Sequence, residues 1–473
     1  MTFKHTHRRL TPAAAFHVQK SRRASPAPAG RLAAFPLVGL VLLALCIPVA
    51  AAGAPDHFAW DSIGGTLARD HQSRAMFFAG AHRRTYVAYM DHGFYARITH
   101  YDHDTGAWAY PATLLDDCIR PDDRFNHAYK DGHNVPNLFV TRDGTIHIFY
   151  GAHGTAFRYA RTRKPEDIRY ANWELDRRVG AQGTYPYFAE TGEGVLRVFY
   201  RYSPTGGYNH PFLGMQCTRD NGDTWSELEK LATFPDACKL YRGAWDPVRQ
   251  CVHLLLHPRG PLGGRHGAVH CTYEPASGKL RSLTGDVLGP MGTLETFEGH
   301  LPVIFHRIVD FGLFEGTAYF LYETREGGFR FGYWKDGEWT CFPDSEGKLD
   351  GLVRRPVVHT TDGRHFKVFG IAGWRDAPGA QHGGDIRMWE SRDGGRSWTD
   401  GRPVATGQAY GHGFQELNKV MHYPGDGPLF IAAEPTGPWP ETWEKTQFTH
   451  YDNPSRRDKK LYAFDAGGNV IGR

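Results

Sequence analysis

Short runs in which apolar or β-branched residues alternate with polar ones recur along nearly the whole chain. They include Thr85 to Met90, Asn137 to Thr141, Thr145 to Tyr150, Val195 to Tyr200, Cys251 to His257, Ala318 to Tyr322, Phe366 to Ile371 and Leu429 to Ala433. Gly, Asp, Asn or Pro separates them, and helical periodicity is nearly absent after residue 56. A period of two turns alternate side chains to opposite faces of a strand, so the pattern predicts many short strands with one face on a core. Strands this short and this closely spaced belong to a sandwich, a barrel or a propeller.

One pair of runs carries chemistry at its ends. Asn137 to Thr141 and Thr145 to Tyr150 are joined through Asp143-Gly144, a strong hairpin signal. Counting outward from a two-residue turn, Arg142 faces Thr145 and His153 falls opposite Asn134, beside His133. Opposite neighbours in such a ribbon lie roughly 5 Å apart. The two imidazoles are therefore expected at one end of the ribbon, with register deciding whether they share a face.

A repeated motif chooses among the all-β folds. Thr218-Arg219-Asp220-Asn221-Gly222-Asp223-Thr224-Trp225 and Ser391-Arg392-Asp393-Gly394-Gly395-Arg396-Ser397-Trp398 share the pattern S/T-x-D-x-G-x-x-W. This is the Asp-box, or BNR, turn of sialidase-like propellers: Asp caps the turn, Gly takes positive φ and Trp covers the fold beneath. The copies lie 173 residues apart, which is three blades at roughly 60 residues per blade. We therefore expect an all-β, seven-bladed β-propeller forming a single domain over residues 53–473. The Asp-boxes themselves read as structural.

Composition changes the picture mainly at the N-terminus. Residues 1–52 hold seven Lys or Arg and no acid, then an apolar run from Leu37 to Val49 and Ala50-Ala51-Ala52. That is the layout of a cleaved signal peptide, so a secreted or periplasmic protein is expected, with lipid anchoring at Cys46 the lesser alternative. Removing the seven positive charges takes the formal charge from +4 to −3. The remaining chain has no basic run that suggests nucleic acid and no apolar stretch of the ~20 residues a membrane helix needs. A monomer and no organic cofactor are the accompanying expectations. Six cysteines remain, with their pairing open.

The hairpin just described, Thr184-Tyr185-Pro186, Val198-Phe199-Tyr200-Arg201 and the Asp-box soon after resemble the BNR repeat-containing family. That family includes the seven-bladed propeller ulvan lyases and related rhamnose–glucuronate lyases. The resemblance implies a substrate canyon with His133, His153, Tyr185 and Arg201 as catalytic residues and Tyr241 and Asn134 as substrate contacts. The resemblance also implies an acidic polysaccharide partner, and the implied reaction is β-elimination at a uronate. The proton α to the carboxylate is removed only if that charge is neutralised, which a guanidinium fork does well. Arg201 suits this task, His133 the base or a carboxylate contact, and Tyr185 the acid, or both acid and base. His153 suits orientation of the substrate or a share in charge neutralisation.

Cys251, His253 and His257 alternate on one expected strand, with His266, His270 and Cys271 following across a turn. Cys with His suits zinc. The resemblance implies a structural zinc in this region, held by His257, Cys271 and His210, with Cys217 a candidate fourth ligand. His412, Trp374, Trp439 and Trp443 are lesser candidates for the canyon rim. Competing functions are a propeller glycoside hydrolase acting on rhamnosyl-glucuronate or sialidase-like substrates, and a non-catalytic carbohydrate-binding propeller. The arginine triad of a sialidase is usually announced by an early Arg-Ile-Pro, which this chain lacks.

Overall fold

The computed structural model describes residues 59–61, 74–91, 95–116, 136–151, 155–192, 194–202, 204, 212–233, 238–258, 269–283, 285–288, 307–324, 328–335, 338–342, 349, 351–372, 384–407, 413–414, 416–425, 427–435 and 459–472. Their order is that of a seven-bladed β-propeller. The N-terminal strand β1 (Ala59–Asp61) belongs to the last blade. Blade one is β2 (Ala75–Ala79), β3 (Arg83–Met90) and β4 (Ala96–Asp102), with β5 (Ala107–Trp108) and β6 (Thr113–Asp116) both paired to β4. Blade two is β7 (Asn137–Val140), β8 (Ile146–Tyr150), β9 (Thr155–Thr162) and the first half of β10 (Trp173–Glu190). Blade three takes the second half of β10, then β11 (Leu196–Tyr202), β12 (Phe212–Thr218) and β13 (Glu229–Thr233).

Blade four is β14 (Cys238–Asp246), β15 (Cys251–Pro258), β16 (Val269–Glu274) and β17 (Lys279–Arg281). Blade five is β18 (Arg307–Phe314), β19 (Thr317–Glu323), β20 (Phe329–Lys335) and β21 (Glu338–Cys341). Blade six is β22 (Leu352–His359), β23 (Phe366–Ala372), β24 (Asp385–Ser391) and β25 (Arg402–Ala405). Blade seven is β26 (Glu416–Lys419), β27 (Phe430–Pro435) and β28 (Lys459–Phe464), with β1 outermost.

The expected runs all lie on strands, because alternation at each gives every blade two apolar faces to press on its neighbours. Leu213 and Phe199 of blade three meet Val252 and Leu254 of blade four, and Leu255 on the other face of β15 meets Phe311, Phe320 and Trp334 of blade five. Side chains of this size contribute about 1.5–3 kcal/mol each when fully buried. The ring is closed twice, by β1 on β28 and by a parallel bridge from Met421, just after β26, to Met76 of β2.

Two local features depart from the expectation. The hairpin between β7 and β8 has no two-residue turn. Thr141 pairs with Thr145, its N–H 3.0 Å from the Thr145 carbonyl, and Gly144 closes a three-residue loop at φ +84°. The extra residue shifts the pairing by one, so that Phe139 faces His147; a glycine in the left-handed region makes this turn accessible. The second departure is β10, which passes from the outer edge of blade two to the inner edge of blade three without a loop. Gly183 pairs with Thr155 on one side and Tyr202 on the other, and a Cβ there would overlap the Phe157 ring.

The Asp-boxes follow the third strands of blades three and six, three blades apart as their spacing predicts. Asp220 accepts from the Thr224 N–H at 2.9 Å and the Thr224 hydroxyl at 2.6 Å, while the Gly222 N–H donates to the Thr218 hydroxyl at 2.7 Å. Trp225 packs edge-on against Tyr159, with ring centroids 5.4 Å apart. The hydrogen bonds from Thr224 hold the Asp220 carboxyl down at about 2, against an ordinary 3.8. A depressed carboxylate stabilises the fold above its unfolded value and loses that contribution as the pH falls toward the folded value. Asp220→Ala is therefore expected to cost about 1 kcal/mol at neutral pH, lowering the melting temperature. The gap to the parent protein should narrow between about pH 4 and pH 2. Thermal unfolding across that range checks it, and a pH-independent gap would refute the assignment.

Candidate functional site

The innermost strands run parallel round the shaft, so all of them start on one face of the ring and end in hairpins on the other. The starting face holds the described members of the expected catalytic set. Tyr185 and Arg201 come from adjacent strands, with Thr184 paired to Arg201. Directly after that pair the register of β10 jumps from Thr184 to Tyr187, and Tyr185 adopts φ +58°. A non-glycine residue in this region costs about 1–3 kcal/mol, and Pro186 restricts Tyr185 further. The strain turns Tyr185 out of strand alternation. Its ring is 2% exposed, and the Arg201 guanidinium carbon lies 5.0 Å from the ring centroid.

Comparable bulges lie near the starts of other innermost strands. Pairing of β14 skips from Leu240 to Arg242, which leaves Tyr241 as the bulged residue; β18 skips from Ile308 to Asp310, and β22 has two such shifts between Leu352 and Val357. Bulges re-aim side chains and favour the neighbourhood of active sites. No residue pattern announced them.

The remaining expected residues fall as follows. His133, Asn134, His153 and His210 lie outside the described residues, the first two just ahead of β7 and His153 in the connection from β8 to β9. The side chains of Tyr241 and His257 also lie outside them, as do His266, His412, Trp374, Trp439 and Trp443. His147, inside the same hairpin, is structural: its Nδ1 is 2.8 Å from the Tyr159 hydroxyl, and burial pushes its pKa down to about 3.

The Cys/His group around residues 251 to 271 divides across the sheet of blade four. Cys271 is fully buried on the face toward blade three, among Phe199, Leu213 and Leu254, and burial pushes its thiol up to about 12. His253 and His270 occupy the opposite face with Leu255, because neighbours in a strand point apart. There His253 Nδ1 is 2.8 Å from His270 Nε2, and desolvation keeps both rings neutral. Asp246 and Cys251 pair across the β14–β15 hairpin, and one ligand atom each from Asp246, Cys251 and His253 lie within 4.8 Å of one another. The sequence reading included Cys251 and His253 but not Asp246. Among the described residues this is the one cluster with metal-ligand proximity. Cys217, Cys251, Cys271 and Cys341, the cysteines whose side chains are described, form no disulfide.

A cavity of about 690 Å³ occupies the shaft toward the hairpin face, lined by Phe77, Phe139, Phe188, Trp245, Phe311 and Lys419 among others. Neither Tyr185 nor Arg201 lines it. We assign it to the propeller axis, since its walls are the innermost strands and are mainly apolar, with Arg142, Glu190, Asp310, Lys419 and His422 as the charged and titratable groups on the lining.

Residues 84–291 match the BNR repeat-containing family. The ulvan lyase of Nonlabens ulvanivorans is 28% identical over 188 residues, covering 36% of this chain and 38% of that protein. The PL25 ulvan lyase of Pseudoalteromonas sp. (strain PLSV) is 26% identical over 269 residues, 49% of this chain and 52% of that one. The chain thus spans about half or less of the length of these curated relatives. A solved PL25 ulvan lyase superposes with a TM-score of 0.63 at 18% identity, over 88% of this chain and 96% of that one. A structure of a PL25 ulvan lyase bound to -[GlcA(1-4)Rha3S]- gives the same TM-score. The shared fold is the propeller. Among the described residues, no helix is long and apolar enough to cross a membrane.

Proposed function

We propose that this chain, whose residues 84–291 belong to the BNR repeat-containing family, is a polysaccharide lyase that cleaves uronate-containing polymers by β-elimination. The observation that carries this reading is the Tyr185–Arg201 pair, an acid-competent phenol on a strained bulge with a buried guanidinium against its ring. The likeness to ulvan lyases supports it. The substrate class we propose is glucuronate 1,4-linked to sulfated rhamnose.

Arg201 binds the uronate carboxylate and stabilises the negative charge that grows there in the transition state. His133 takes the proton from C5, with His153 orienting the substrate or sharing in neutralising its carboxylate, and the electron pair left behind forms the C4–C5 double bond. The C4–O bond breaks, and the departing oxygen receives a proton from the Tyr185 hydroxyl. Tyr185 is then an anion, which the neighbouring cation of Arg201 stabilises. Substrate binding through Tyr241 and Asn134, and export through the leader at residues 1–52, belong to the same proposal. The zinc implied for His257, Cys271 and His210 is given no step in it.

Incubation with a sulfated rhamnose–glucuronate polysaccharide tests the reading. New reducing ends are expected together with near-UV absorbance from the unsaturated uronate. Reducing ends without that absorbance would mean hydrolysis, and binding without cleavage would mean a lectin; either result overturns the proposal.

A further inference from the structure

On the hairpin face of blade four, opposite the proposed reaction site, three potential ligands converge. Asp246 is 1% and His253 0% exposed. Asp246 Oδ1 accepts the N–H groups of Val248 and Arg249 at 2.9 and 3.0 Å, which fixes the carboxylate in the turn. Its other oxygen, Oδ2, makes no hydrogen bond, nor does His253 Nε2, although the two are 3.4 Å apart. That separation is poor for a hydrogen bond but suits two ligands of one ion: atoms held tetrahedrally at about 2.1 Å from a cation lie about 3.4 Å from each other.

We propose that Asp246 Oδ2, Cys251 Sγ and His253 Nε2 form a zinc-class transition-metal site, with His270 orienting the His253 ring and water completing a tetrahedron. The donor set of one thiolate, one imidazole and one carboxylate suits zinc. His253 Nδ1 lies 2.8 Å from His270 Nε2; in the tautomer the site requires, Nδ1–H donates to His270 and Nε2 keeps its lone pair for the ion, the usual arrangement behind a metal-bound histidine. A divalent cation with one carboxylate and one thiolate is neutral overall, which suits a buried position. The thiol proton of Cys251 leaves to solvent when the ion binds. Arg249 lies 3.6 Å from Asp246 Oδ2, but it also donates to the Gly316 carbonyl and lies over Trp334. It therefore stays as an outer neighbour of the site.

This site is independent of the proposed lyase activity, and its test reads metal directly. The full chain is stripped with a chelator and titrated with cobalt(II), whose thiolate bond gives a near-UV charge-transfer band. One band-forming equivalent is expected to be lost in Cys251→Ser and retained in Cys341→Ser, a free cysteine outside the cluster. A second measurement needs no variant: crystals of the parent protein soaked in zinc should give an anomalous peak between Asp246, Cys251 and His253. Absence of the band, a band undiminished in Cys251→Ser, or anomalous peaks only elsewhere would overturn the assignment.

Discussion

Tyr185→Phe is expected to lower kcat/KM on the uronate polysaccharide by about a thousandfold, the middle of the range for losing a general acid or base. The substitution deletes one oxygen and keeps the ring, so the contact with Arg201 and the packing of the bulge remain. The melting temperature should therefore stay close to that of the parent protein, which separates loss of chemistry from loss of fold. The fall should appear mainly in kcat, since the proton reaches the leaving oxygen only as the bond breaks. Activity within tenfold of the parent would remove Tyr185 from the acid role. His133 and His153 would then be the groups to examine.

The second large effect is expected at Arg201. Arg201→Lys keeps a positive charge but exchanges a planar fork for a single ammonium, which cannot grip both carboxylate oxygens. A loss of about a hundredfold or more in kcat is expected, as for other preorganised donors aimed at developing charge. KM should rise less than kcat falls, because the enolate-like transition state places more charge on that carboxylate than the ground state does. Arg201→Ala should be worse for stability as well, since the side chain is buried and lies over an aromatic ring. Steady-state kinetics of the lysine variant decide the matter: an unchanged kcat with a raised KM would make Arg201 a binding residue alone.

Resemblance marked both positions as candidates in the sequence, Tyr185 before a proline and Arg201 at the end of an aromatic run. Their geometry was not legible there. A positive φ at Tyr185 and the skipped pairing after Thr184 come from the way β10 crosses between blades, and Gly180 and Gly183 gave no sign of the crossing. The strands could be read because alternation is a local property imposed by a core on each blade face. Three-blade spacing could be read because the Asp-box is a local turn repeated at fixed places. Register was misjudged by one residue at Thr141, since a glycine at positive φ fits both a two-residue and a three-residue turn. Asp246 stayed invisible as a ligand for a related reason: an aspartate opening a turn looks like a cap until strand pairing places it opposite Cys251.

The pairing of Ala59, Trp60 and Asp61 with Leu461, Lys460 and Lys459 makes the first and last described strands partners in one blade. Such a clasp is the most distant strand pairing among the described residues, so the circle is complete only after β28 has been synthesised and β1 has been kept available. Folding by this route is dominated by long loop closure and is correspondingly slow. The reward is mechanical: the seventh wedge cannot slide out of the ring without parting both ends at once. A break placed between two other blades, with residues 61 and 459 already neighbours, would leave every blade with its full complement of strands.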